Sequence, residues 1–253
     1  MPGKMTSDTS QPQRYPFIDA ARGFAILLMF VYHFCFDLAW LGLADFDFYR
    51  GTGWLHFRSL IVTLFLGIMG VSLYLSTRHG IDWRRFGLRL AMITGYAALV
   101  SLGSYLLFPD SMIVFGILHF AAVASVLGLL FIRFHVANLL IGIALILLGN
   151  YLPLPLFDQP ALHWIGMMTH KPVTEDYVPL LPWFGVVLIG HFLGRVIFSR
   201  RRPALVIQWR ETGWLRRTLC FGGRHSLNLY MVHQPIFLGL LYAGLWLSER
   251  VAG

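Results

Sequence analysis

Apolar residues run almost unbroken over 17–43, 60–77, 86–108, 112–132, 136–151, 181–198 and 226–247, and polar or charged connections separate the runs. A helix needs about 20 apolar residues to cross the hydrocarbon of a bilayer, and most of these runs reach or approach that length. The pattern predicts an all-α fold: a polytopic membrane helix bundle of about seven transmembrane helices. The fifth run is short, which little tilt or a locally thin bilayer accommodates. No internal repeat or low-complexity segment interrupts the series, so residues 14–253 are expected to form a single transmembrane domain. The polar stretch 1–13 lacks an apolar core and reads as a disordered tail, not as a cleavable signal.

Charge is distributed unequally among the connections. Arg78, Arg84, Arg85 and Arg89 fill one, Arg133 stands in another, and Arg200, Arg201, Arg202, Arg210, Arg216 and Arg217 fill a third. Lys4, Arg14 and Arg22 precede or enter the first run. The connections around 44–59, 109–111 and 150–180 hold few Lys or Arg. Positive charge marks cytoplasmic loops, so the N-terminus is expected in the cytoplasm and the C-terminus outside. An odd number of spans satisfies every loop. With 57% hydrophobic and 13% charged residues, the chain carries more apolar surface than a soluble domain can hide. The net charge of +8 would suggest a nucleic-acid partner in a soluble chain, but here the basic residues cluster between apolar runs and no such partner is expected. Cys35, inside the first run, and Cys220, in a basic connection, are expected at different depths and unpaired.

Ionisable groups inside the hydrocarbon are costly and normally face a protein interior or a cavity. His33, His119, His191 and His233 fall inside predicted spans. At about 1.5 Å per residue, His33 lies in the outer half of the first helix and His119 about two turns below the outer face of the fourth, so these two are expected to meet. His191 falls near mid-depth, and His233 about two turns above the cytoplasmic end of the last helix. Asp37 follows His33 at i+4 and shares its face. A carboxylate that orients an imidazole makes a general base, because it fixes which ring nitrogen is free to accept a proton. The plainer reading, a histidine bonded to a neighbouring helix, applies above all to His191. In GGRHSLNLYMVHQPI, 222–236, Ser226 suits a helix N-cap, Gly222 and Gly223 permit a tight approach, and Pro235 favours a kink beside His233. At the entrance to the first helix, Arg22 suits a phosphate and Asp19 suits the positioning of that arginine; capping and membrane anchoring are the plainer roles.

Taken in order, RYPFIDAARGFAILLMFVYH (14–33), FLGIMGVSLYLS (65–76), FGILHFAAV (115–123), PLLPWFGVVLIGHFLGR (179–195) and GRHSLNLYMVHQP (223–235) resemble the transmembrane acyltransferases, in particular bacterial relatives of heparan-alpha-glucosaminide N-acetyltransferase. The resemblance implies an enzyme of a bacterial inner membrane that moves an acetyl group from cytoplasmic acetyl-CoA to a sugar or other acceptor on the far side. Arg14, Arg22 and Arg224, with Asp19 and His233, would then form the cofactor-binding set, and no metal is expected. His33 also stands where the related acyltransferase-3 family places a histidine after its RxxxxDxxRG entrance. The lysosomal enzyme instead has asparagine at the position matching His33 and keeps its essential histidine in the following lumenal segment, where His56 is the nearest residue here. Both histidines therefore stay open as the catalytic one. Fewer spans than in the lysosomal enzyme, and no soluble acceptor-binding domain, are expected here.

On this reading His33, oriented by Asp37 and assisted by His119, deprotonates an acceptor hydroxyl or amine that attacks the thioester. Direct transfer and a ping-pong route through an acyl-histidine are both open. The implied partners are membrane lipid, acyl-CoA, and an extracytoplasmic glycan or small-molecule acceptor, with a homodimer as a further option. Two rival readings remain: a haem-binding redox protein that uses the intramembrane histidines as axial ligands, and a proton-coupled transporter that uses them as a relay.

Overall fold

The computed structural model describes residues 15–107, 109–174, 176–199, 209 and 212–252. Arg14, Arg200, Arg201, Arg202, Arg210 and the 1–13 tail lie outside the described residues. In chain order the helices described are α1 Pro16–Trp40, α2 Thr52–Thr77, α3 Trp83–Leu107, α4 Ile117–Phe131, α5 Val136–Tyr151, α6 Leu180–Phe198, α7 Trp214–Arg224 and α8 Ser226–Ala252. Of these, α1, α2, α3, α6 and α8 are long and apolar enough to cross a membrane, and α4 and α5 are apolar helices of 15 and 16 residues. This is a polytopic membrane helix bundle.

Local sequence explains the ends of α1. Pro16 occupies the first helical turn, where a missing N–H costs nothing, and Asp19 places a negative charge against the positive end of the dipole. At the other end Gly42 adopts φ +70° and donates its N–H to the Ala39 carbonyl, which turns the chain toward α2.

Lipid tails are as apolar as leucine, so helices in a bilayer associate through close packing, not through hydrophobic burial. Three crossings here rest on paired glycines. In the parallel α2–α6 contact, a side chain on Gly70 would strike the Val187 carbonyl, and one on Gly190 the Gly67 carbonyl. Gly142 and Gly185 face each other's backbone between the antiparallel α5 and α6. Where α7 runs antiparallel to the start of α1, Gly23 meets the Leu219 carbonyl and Gly223 meets that of Asp19. Large apolar residues such as Leu102, Leu140, Val196 and Leu240 stay exposed, as a lipid-facing surface requires.

Three departures from the sequence pattern bear on the site. Helix α2 starts at Thr52 and not at 60, so His56 and Arg58 are helical residues and not part of a loop. Helix α4 starts at Ile117 and not at 112, because the preceding stretch is tied to its neighbours: Ile113 N–H donates to Ser104 Oγ at 2.9 Å, and Val178 N–H to the Phe115 carbonyl at 3.2 Å. Helix α7 was not predicted at all. It lies in a connection whose arginines hide its period, although Cys220 and Gly223 are buried on one side while Arg216 and Arg217 are exposed on the other.

Candidate active site

The α1–α7 crossing draws three charges together at the arginine-rich end of the bundle. Asp19 Oδ1 lies 3.4 Å from Arg22 Nη1, and its Oδ2 lies 3.6 Å from Arg224 Nε. Arg22 also donates to Ser72 Oγ at 2.9 Å and to the Gly223 carbonyl at 3.3 Å. One carboxylate thus lies within ion-pair distance of two guanidinium groups. Beside them Arg22, Arg224 and a third arginine, Arg89 of α3, line one end of an open cavity of about 350 Å³ bordered by α1–α4 and the α7–α8 junction. That volume lies in the range of small-ligand sites.

Phe65, Met69 and Met92 form apolar wall, and Ile117 and Tyr230 line the cavity as well. Tyr230 is hydrogen-bonded to Asp176, whose Oδ2 accepts the Ile117 N–H at 2.8 Å at the start of α4. Burial pushes the Asp176 carboxyl above the usual range, against the opposing pull of the Ile117 amide and of the charges on Arg58 and Lys171. A side chain on Gly116 would run into that carboxylate, so the glycine is required where the Asp176 segment approaches α4.

The histidines meet in a different pairing from the one expected. His33 and His233 stand edge to face with ring centroids 5.0 Å apart, so the partner of His33 is the last helix and not His119. His233 Nδ1 donates to the Tyr230 carbonyl at 2.6 Å, which leaves Nε2 as the lone-pair nitrogen of the neutral ring. It stacks on Phe30 and lies one turn from Tyr230, so it stands beside His33 and does not line the arginine cavity. Asp37 is 1% exposed and accepts from Gln234 Nε2, next to His233, instead of from His33. The i+4 spacing does put His33 and Asp37 on one face, but that face is turned to α8, whose amide is the nearer donor. Helix α8 runs on through Pro235.

His119 occupies the first turn of α4, not a position two turns deeper. Its Nδ1 accepts the Gly116 N–H at 3.3 Å and its Nε2 bonds Ser101 Oγ at 3.1 Å, the contacts of a histidine that closes a helix end. His191 is 2% exposed and accepts from Asn138 Nδ2 at 3.0 Å, as the plainer reading held. His56 is exposed at the far end of α2.

Sequence reasoning missed Arg89, Asp176 and Tyr230. A lone arginine in the apolar run FGLRLAMI was a usable signal for the first; it was grouped instead with its loop neighbours. Nothing local marks Asp176, which is brought to Ile117 across 59 residues.

The bundle and its basic cavity are those of a multi-pass membrane protein with room for a small ligand. Residues 14–235 match the family model described as heparan-alpha-glucosaminide N-acetyltransferase, catalytic. The chain belongs to this family and is a membrane acetyltransferase. No curated protein and no solved structure matches it significantly.

Proposed function

We propose that this acetyltransferase takes its acetyl group from acetyl-CoA at the arginine-rich end and passes it to a hydroxyl or amine that enters from the opposite end. The observation that carries the reading is the cavity itself, with Arg22, Arg89 and Arg224 at one end and Tyr230, bonded to Asp176, in its lining. Guanidinium groups match phosphate oxygens in a fixed fork, and the apolar wall suits a neutral pantetheine arm. Arg22 and His33 are 11 residues apart on α1, about 16 Å along the axis, a separation that an extended arm covers.

In this mechanism His33, beside His233, accepts the acceptor's proton as the oxygen or nitrogen attacks the thioester carbonyl carbon. The tetrahedral intermediate then collapses with cleavage of the C–S bond, and the imidazolium returns the proton to the departing thiolate. Tyr230, which lines the cavity, would hydrogen-bond the acceptor, and Asp176 would hold the Tyr230 phenol in position. The haem reading needed His119 paired with His33 or His191, but His33 meets His233 instead and both ring nitrogens of His119 are bonded within the protein, to Gly116 and Ser101.

Acceptor-dependent release of free CoA thiol from labelled acetyl-CoA, measured with purified protein, tests the proposal. Movement of a solute without acetyl-CoA consumption would replace it with the transporter reading. Arg89→Ala is expected to remove a charge-assisted contact of about 1.5 to 3 kcal/mol and to appear chiefly as a raised KM for acetyl-CoA. Arg84→Ala, an exposed arginine at the start of the same helix, controls for net charge and should leave KM unchanged. Equal KM values for the two variants would reduce Arg89 to a membrane anchor.

Orientation follows the same reading, with the arginine-rich end in the cytoplasm. In a variant lacking Cys35 and Cys220, Tyr49→Cys and Val173→Cys are expected to react with an impermeant thiol reagent added to sealed cells, and Phe134→Cys is not. All three sites are exposed, so accessibility alone does not decide the result. Labelling at 134 but not at 173 would invert the topology.

A further inference from the structure

We propose that the arginine-rich end holds a second anion site, which takes the phosphate of an anionic phospholipid headgroup and is separate from the cavity already described. A cavity of about 550 Å³ lies between the ends of α2 and α6 and the α4–α5 connection, and Arg78, Arg133, His135 and Arg195 line it together with Tyr74 and Ser199. Among the described residues no carboxylate lines it. Helix α2 divides the two sites: Met69 and Ser72 face the first cavity, while Tyr74 and Arg78 face the second.

Loop arginines that serve only to set topology gain nothing by converging on one cavity, since like charges repel and each is best hydrated alone. Arg78 is not left to hydration. Its Nη2 donates to the Tyr15 hydroxyl at 2.9 Å, its guanidinium lies 5.7 Å from that ring's centroid, and Tyr15 packs against Phe198 at 4.6 Å. Its Nε is buried without a partner among the described residues. A guanidinium held in place on an aromatic ring is pre-organised for an anion.

A phosphate here has two sources, a lipid or a soluble phosphorylated compound. The surroundings favour the lipid, because exposed Leu193 and Val196 on α6 and Val136 and Leu140 on α5 flank the basic residues and offer apolar surface along which acyl chains can run. Basic pockets at the edge of a bundle recognise headgroups by this combination of charge and adjoining apolar surface.

The test measures binding of dioleoyl phosphatidylglycerol to the full chain in mixed detergent micelles by native mass spectrometry, against dioleoyl phosphatidylcholine, inorganic phosphate and CoA. The parent is expected to retain phosphatidylglycerol at least tenfold over phosphatidylcholine. Arg133→Gln with Arg195→Gln should lose most of that preference, with the KM for acetyl-CoA unchanged. Arg133→Gln alone, at an exposed position, should give a smaller loss in a chain that folds like the parent. Unaltered phosphatidylglycerol retention in the double variant would return these residues to membrane anchoring. Competition by inorganic phosphate or CoA that matches phosphatidylglycerol would overturn the lipid assignment in favour of a soluble phosphorylated ligand.

Discussion

His33→Ala is expected to lower acetyl transfer by about 100-fold to 10,000-fold, the range that proton transfer by a positioned side chain contributes, while acetyl-CoA still binds with the parent's affinity. The separation follows from geometry, since His33 lies 11 residues from Arg22 along α1 and does not line the arginine cavity. His233→Ala is the necessary comparison, because its Nε2 carries the free lone pair while its Nδ1 is committed to the Tyr230 carbonyl. If that variant is dead while His33→Ala turns over normally, the base is His233. His56→Ala, exposed on α2, is expected to be silent. Asp37→Asn is expected to leave the pH profile in place and to lower thermal stability modestly, since the carboxylate clamps α1 to Gln234 of α8 and does not contact an imidazole.

Hydropathy located the bundle well, because lipid imposes one rule on every spanning residue. Helices α1, α5 and α6 begin within a residue of the predicted runs. The pattern failed where polar residues are helical, as with His56 and Arg58 at the start of α2, and where apolar residues are not, as in the stretch before Ile117. The proximity of Asp19 to Arg22, one turn apart at the entrance to α1, was legible, and Arg224, grouped with Arg22 only through the family resemblance, joins them. Residues that meet only through the tertiary fold were not. Depth along separate helices says nothing about rotation, so His33 and His119 at similar predicted depths gave no warning that α8 supplies the neighbour. Asp176 lies in the connection between α5 and α6 with Lys171 nearby and looks, locally, like any solvated acid.

The glycine at the α1–α7 crossing should be as sensitive as the histidine, for a structural reason. A β-carbon at Gly223 would overlap the Asp19 carbonyl, so Gly223→Val must push α7 away from α1. Overpacking of this kind costs about 1 to 3 kcal/mol even where side chains can yield, and here the obstacle is backbone. Separation removes two contacts that hold the arginines: the Gly223 carbonyl that Arg22 donates to, and the Asp19 carboxylate that Arg224 reaches. The expected result is a lower midpoint of thermal unfolding and a KM for acetyl-CoA raised by more than about tenfold, as the loss of one charge-assisted contact implies. Gly222→Ala provides the contrast, because a β-carbon there finds Gly23 Cα at 3.6 Å and Leu229 Cδ1 at 4.0 Å, ordinary contact distances. That variant is expected to match the parent in both measurements. Should Gly223→Val keep the parent's KM in protein that unfolds at the parent's temperature, the close crossing does not set the positions of Arg22 and Arg224, and the phosphate site must be sought elsewhere.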